Sequence, residues 1–255
     1  MRFEDVDARM RLFETSHDHC VLPGVFIVVR LDGRGFTRQT KEVWDLEAPF
    51  DSKFRDVMLT TTEHLVNCGL SVMYGYTQSD EISLLLHRDA ENFGRKTRKI
   101  ISVLSGEASA CFTYAFGSMA CFDARISQLT SETLVRDYFN WRHEDAHRNA
   151  LSAHCYWLLR KKGSSAQSAN HELFGLSGSQ KNEFLFQNGI NFNDLPMWQK
   201  RGCAVYWEDY LKPAIDQKTG EAVQAYRRRL IRNLELPLGD QYGEFVDRFV
   251  AQASA

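Results

Sequence analysis

Seven consecutive residues, Val25-Phe26-Ile27-Val28-Val29-Arg30-Leu31, constrain the fold more than any other stretch of this chain. They are almost uninterruptedly apolar and rich in β-branched side chains, the pattern of a strand buried on both faces. The run stops at Asp32-Gly33-Arg34-Gly35, which sets a charged, glycine-rich turn at the end of a buried strand. Downstream, Phe54, Met58, Thr61, Leu65 and Cys68 recur at helical spacing, predicting an amphipathic helix from Asp51 to Asn67 that Gly69 stops. Two further strand-like runs follow, Leu70 to Tyr76 and Ile82 to His87. The polar segment Thr77-Gln78-Ser79-Asp80-Glu81 between them reads as the turn of a hairpin. Phe93 to Ala115 and Ser131 to Lys161 read as helices, with a further strand around Met119 to Phe122. The order of elements predicts an α/β protein with a split βαβ core.

A chain of 255 residues can bury a full core of its own, and it is read as one catalytic unit. Residues 5–135 form its core, and 136–255 a mainly helical extension, with Gly163 to Asn170 the nearest approach to a linker. No apolar run reaches the ~18–20 residues a membrane span needs, and the charged start, MRFEDVDARMRLFE, is unlike a signal peptide. A cytoplasmic protein is expected. Six cysteines without CxxC pairs suit reduced thiols rather than a disulfide framework or a zinc ribbon. A formal net charge of -2 speaks against a broadly basic nucleic-acid surface. The basic clusters Arg95, Lys96, Arg98 and Lys99, Arg160 to Lys162, and Arg227 to Arg229 read first as solvated helix faces.

If the first strand lies beside the hairpin, Asp32 and Asp80 converge on one opening. Magnesium takes hard oxygen ligands and is commonly held by one or two carboxylates plus substrate phosphates. Paired ions suit in-line displacement at phosphorus. Gly33 and Gly35 would let a triphosphate approach the backbone, and Arg34 and Ser79 could meet phosphate oxygens. Taken singly, Asp-Gly is a common turn and Ser-Asp-Glu a common loop, so punctuation is the competing reading. His143-Glu144-Asp145-Ala146-His147 satisfies the H-E-x-x-H zinc pattern, with Glu172 as a conceivable third ligand. Its strongly charged surroundings disfavour a zinc helix. His17, His19 and Cys20 read as a polar loop, and Tyr138, Phe139, Trp141, Tyr156 and Trp157 as helix core rather than a base-stacking platform.

Five blocks, in order, resemble the tRNA-histidine guanylyltransferases. They are Arg30-Leu31-Asp32-Gly33-Arg34-Gly35-Phe36; Gln78-Ser79-Asp80-Glu81; Phe122-Asp123-Ala124-Arg125; Asp137 to Arg142; and Lys181 to Phe186 with Gly189 to Asn193. The resemblance spans about residues 5–207 and implies a palm-like polymerase core: a βαββ antiparallel sheet with helices on one face and a helical C-terminal portion. It implies an enzyme that extends tRNA at its 5′ end in the 3′-to-5′ direction. A nucleoside triphosphate, ATP or GTP, first activates the 5′-monophosphate. The 3′-hydroxyl of an incoming nucleotide, usually GTP, then displaces the activating group. By correspondence, Asp32, Asp80 and the Gly33 carbonyl resemble the ligands of two magnesium ions, with Ser79 and Glu81 shaping the site. Arg34, Gly35, Phe36, Lys96, Lys99, Arg125 and Lys181 resemble nucleotide or phosphate contacts, and Arg142, Asp145, His147 and Asn149 a tRNA or activation site.

The departures from the eukaryotic pattern are His147-Arg148-Asn149-Ala150 with Ser152 and Ala153, and Ala48 before Pro49 where those members carry lysine. They resemble the bacterial and archaeal branch, which implies templated repair of 5′-truncated tRNAs. G addition confined to tRNA-histidine is the alternative, and a homotetramer is implied. A nucleotide cyclase-like enzyme and a non-catalytic RNA-binding module are the readings from other classes.

Overall fold

The computed structural model describes residues 2–215, 218 and 220–254. Helix α1 (Phe3–Thr15) precedes strand β1 (Phe26–Gly33), the short helix α2 (Phe36–Arg38) with a π-helical turn over Gln39–Val43, and α3 (Ser52–Val66). The hairpin β2 (Val72–Gln78) and β3 (Glu81–Leu86) follows, then α4 (Thr97–Phe116), β4 (Phe122–Leu129) and the 30-residue α5 (Glu132–Lys161). The remainder is α6 (Ala166–Leu173), α7 (Gly178–Gln187), α8 (Met197–Arg201), β5 (Cys203–Ile215), β6 (Ala222–Asn233) and α9 (Asp240–Ser254). Asp51 and Ser131 cap α3 and α5, each side chain accepting a hydrogen bond from a first-turn backbone N–H.

The six strands form one antiparallel sheet in the order β4-β1-β3-β2-β5-β6. Strand β1 is apolar on both faces from Phe26 to Val29 because its alternate residues enter two cores. Ile27, Val29 and Leu31 pack with Phe54, Met58, Leu104 and Phe112 of α3 and α4, whereas Phe26 and Val28 join Phe139, Val246 and Phe249 of α5 and α9. Helices therefore cover both faces of the sheet, not one. With each buried aliphatic or aromatic side chain contributing ~1.5–3 kcal/mol, both layers are needed to hold the central strand in place.

The C-terminal portion also differs from expectation. Residues 203–233 are two strands that extend the sheet beyond β2, and helix returns only in α9. Cys203, Ala204 and Val205 are buried as β2's neighbours, and cross-strand pairs rather than a helical apolar stripe organise this segment. Gly163 to Asn170 is not a linker, since Ser165 caps α6 there. The strand expected around 119–122 starts at Phe122 and runs to Leu129, as the partner of β1. No helix among the described residues is long and apolar enough to cross a membrane.

Candidate active site

The hairpin joining β2 and β3 is tighter than the five polar residues suggested. Gln78 pairs with Glu81, leaving Ser79 and Asp80 as a two-residue turn. Ser79 takes φ 49°, a position that two-residue hairpins normally give to Gly, Asn or Asp, and its Oγ donates to Asp80 Oδ1 at 3.0 Å. Backbone strain of this kind, held in place by its surroundings, gathers at functional sites. Next to it, the Gly33 N–H donates to the Asp80 carbonyl at 3.1 Å, which joins the end of β1 to the tip of the hairpin. A Cβ on Gly33 would lie 2.4 Å from the Phe36 ring, so this glycine is required by close packing.

Register then lines up carboxylates across three strands. Asp32 is opposite Glu81 on β3 and Asp123 on β4. Arg30 lies 3.8 Å from Asp32 and 3.9 Å from Glu81, and Arg125 lies 4.0 Å from Asp32 and 3.4 Å from Asp123. Burial, seconded by the charges of Asp32 and Glu81, pushes the Asp80 carboxyl up to about 6 against the hydrogen bond from Ser79. The opening thus holds negative charge its own cations do not fully compensate. The donors are all hard oxygens, and no group of three or more His, Cys, Asp or Glu among the described residues could hold a metal. That composition fits magnesium completed by substrate phosphates and water, and does not fit zinc.

Beside the carboxylates a cavity of about 340 Å³ runs between the turn after β1, the start of α3 and the middle of α5. Its apolar wall includes Phe54, Met58, Trp157 and Trp198, and its polar wall includes Ser79, Asp80, Glu81 and Asn149. One apolar wall facing a few convergent polar groups is the usual form of a small-molecule site.

The structure brings together Asp32, Gly33, Ser79, Asp80, Glu81 and Arg125 at one end of the sheet, with Asn149 across the cavity. Gly35 turns the chain with φ 76° and Arg34 is exposed beside it, its N–H donating to the Cys121 carbonyl at 2.9 Å. Phe36 is core, its ring against Trp44, Phe112 and Phe122 and its edge at the cavity floor.

Other predicted contacts fall elsewhere. Lys96 and Lys99 start α4 at the opposite end of β1 from Asp32, where Lys96 bridges to Cys20 and its Nζ donates to Asp18 at 2.7 Å. They cannot share a triphosphate with Asp32 and Asp80 of the same subunit, because the 20-residue α4 spans about 30 Å between the two ends. Arg142 is only 3% exposed and binds Glu81, with Asp145 at 3.3 Å, so in the free chain it braces the carboxylates rather than presenting its guanidinium at the surface. Asp145 also holds Arg148 at 2.8 Å and Asn149 at 3.2 Å. Lys181, on α7, donates to Ser152 Oγ at 2.9 Å on the flank of α5. His147 packs edge-on against Phe192, and burial and the Arg201 charge hold its imidazole below the usual value.

The zinc pattern dissolves. His143 is buried and stacked on Tyr242 at 3.9 Å, and burial drives its imidazole down to about 3, a neutral core ring. Tyr138 and Phe139 are core as expected, whereas Trp157 lines the cavity and Trp141 is half exposed. The cysteines are free, and His17, His19 and Cys20 form no metal site. Reading the sequence alone missed Arg30, Asp123 and the cavity's Trp198. Asp123 and Arg30 stand within the quoted blocks, but only strand register reveals that they flank Asp32.

Two family models match most of the chain. The model described as tRNAHis guanylyltransferase matches residues 7–130, and the Thg1 C-terminal domain matches 133–235. A probable tRNA(His) guanylyltransferase of Drosophila melanogaster is 32% identical over 226 residues, covering 85% of this chain and 78% of its own. A bacterial tRNA(His) guanylyltransferase (Thg1)-like protein in complex with ATP superposes with TM-score 0.77 at 27% identity, covering 96% of this chain and 99% of that one. A GTP complex of a bacterial protein so described superposes with TM-score 0.72 over the same shares, also at 27% identity. Matched along nearly its whole length, this chain belongs to the tRNA-histidine guanylyltransferase family of nucleotidyltransferases.

Proposed function

We propose that the chain extends the 5′ end of tRNA in the 3′-to-5′ direction, after a nucleoside triphosphate has activated the 5′-monophosphate, and that its substrates are 5′-truncated tRNAs repaired against the opposite base. The observation that carries this reading is the convergence of Asp32 and Asp80 at the mouth of a nucleotide-sized cavity. Relatives solved with ATP and with GTP support a triphosphate in that cavity. The repair reading rests on the departures at Ala150, Ser152, Ala153 and Ala48. A cytoplasmic homotetramer belongs to the same reading, through the family resemblance.

Asp32, Asp80 and the Gly33 carbonyl are the residues that would hold two magnesium ions. When bound, those ions supply charge neutralisation on the phosphates and a more acidic attacking hydroxyl. The chain's own part is positional. Ser79 and the Gly33 N–H fix Asp80, while Arg142 and Arg30 restrain Glu81 beside it. Arg125, exposed at the rim and within reach of Asp32, stands where a phosphate oxygen enters. The apolar wall of Phe54, Met58, Trp157 and Trp198 takes the base and excludes water from it.

The test incubates the protein with magnesium, ATP, labelled GTP and 5′-monophosphorylated tRNAs, full-length or lacking the first nucleotide, and reads product length on a gel. Extension confined to truncated tRNA and directed by the opposite base is expected. A single G added to intact tRNA-histidine would replace repair with maturation, and no extension of either would overturn the proposal.

A further inference from the structure

Among the residues lining the cavity are two cations, Lys41 and Arg55, against the carboxylates of Glu47, Asp51, Asp80 and Glu81. Arg55 is spoken for: its Nε donates to Asp56 at 2.8 Å, and its guanidinium stacks 4.5 Å over Trp198. Lys41 is different. It forms no ion pair among the described residues, and its ammonium hangs 5.1 Å over the ring of Tyr156, spanning the cavity mouth from the π-helical turn to α5. That turn begins four residues after Gly35 and closes with the Trp44 N–H on the Gln39 carbonyl at 2.7 Å. π-Helical turns gather at functional sites, because the extra residue re-aims a side chain. Here the turn carries a lysine that lines a cavity with four acidic residues in its wall.

We propose that Lys41 is a nucleotide-binding residue: its ammonium leaves the Tyr156 ring to meet the phosphates of the triphosphate occupying the cavity. The inference rests on the reading of that cavity as the nucleotide site. A lysine held only by an aromatic face is held weakly, whereas a charge-assisted hydrogen bond to phosphate is considerably stronger, so the exchange favours the bound state. Lys41 and Asp80 line the same cavity, so a triphosphate bound there would meet the ammonium as well as the carboxylates. Neither its position nor its partner is visible in the sequence.

The experiment compares equilibrium binding of ATP and of adenosine to the full chain in magnesium buffer, for wild type, K41M, K41R and A153W, with circular dichroism to verify folding. Ala153 lines the cavity, and a tryptophan there should block it. K41M should weaken ATP by about 10- to 30-fold and leave adenosine within about 2-fold, and K41R should retain ATP affinity within about 3-fold. If A153W blocks ATP while K41M leaves it unchanged, or if K41M weakens ATP and adenosine alike, Lys41 is not a phosphate contact. If A153W leaves ATP binding intact, the cavity is not the nucleotide site and the underlying reading fails.

Discussion

Replacing Asp80 by asparagine should stabilise the fold while abolishing transfer. In the free protein, burial and the neighbouring charges of Asp32 and Glu81 raise the Asp80 carboxyl from an ordinary 3.8 to about 6. A folded-state value above the unfolded one means that the native state binds the proton more tightly. Stability is then highest where the group is protonated, and it is lost as pH rises through about 4 to 6. Above that window the charged carboxylate costs about 3 kcal/mol. Asparagine keeps the shape and can still accept the Ser79 hydrogen bond, so D80N should recover about 2–3 kcal/mol at pH 7.5, raising Tm by roughly 5–10 °C. The assay is thermal or urea denaturation in a chelator across pH. The advantage should fall to about half at pH 5 and below about 1 kcal/mol at pH 4. Magnesium added at about 100 times its Kd should stabilise wild type by about 2.7 kcal/mol and D80N by little, closing the gap. A D80N protein no more stable than wild type in chelator at pH 7.5 would refute the claim that the opening carries uncompensated charge.

Gly202→Ala should be severely destabilising, by about 2–4 kcal/mol, because its φ is 76° and a Cβ would sit 2.6 Å from the Thr77 carbonyl, behind the Ser79–Asp80 hairpin; urea midpoints measure this, with kcat falling as well. Arg142→Met should cost about 3–5 kcal/mol, since it strands Glu81 and Asp145 without their buried partner; Arg142→Lys should restore part of both stability and kcat, whereas a purely tRNA-binding role would change only the KM for tRNA. His143→Phe should fold with stability within about 1 kcal/mol of wild type and keep transfer activity, because the ring is a neutral stacking partner of Tyr242 with an unpartnered Nε2; loss of activity with the fold intact would reopen a chemical role for the H-E-x-x-H stretch.

Local pattern carried the central elements. The β-branched run became β1, the helical spacing from Phe54 to Leu65 became α3, and the two apolar runs around Asp80 became the hairpin. These segments are legible because each is specified by its own burial periodicity. The strands after residue 203 were not, because their outer parts carry few buried residues and are organised by cross-strand pairs such as Glu208 with Arg229 and Tyr210 with Arg227. The site was legible as a pair, Asp32 and Asp80, since both end apolar runs at turns. Its surroundings were not: that Arg142 is buried against Glu81, and that Lys96 and Lys99 sit a helix length away, follows from tertiary packing alone.

The fate of the basic clusters explains how a chain of net charge -2 can serve a polyanionic substrate. Runs of cations in the sequence are largely spent inside the protein. Arg95 is buried and donates to the carbonyls of Val21, Arg88, Ala90 and Val25, while Lys96 and Arg98 neutralise Asp18. Arg229 pairs with Glu208, and Arg228 lies over Trp207, 3.8 Å from Asp209. The cations beside the carboxylate opening and its cavity are instead solitary in sequence: Arg125 at the strand rim and Lys41 in the cavity lining. A substrate held by a few placed cations should show a shallow dependence of binding on salt, each phosphate contact contributing a slope of about -0.7 to -0.9. For the triphosphate this makes placement by strand register and a π-helical turn count for more than the total of basic residues.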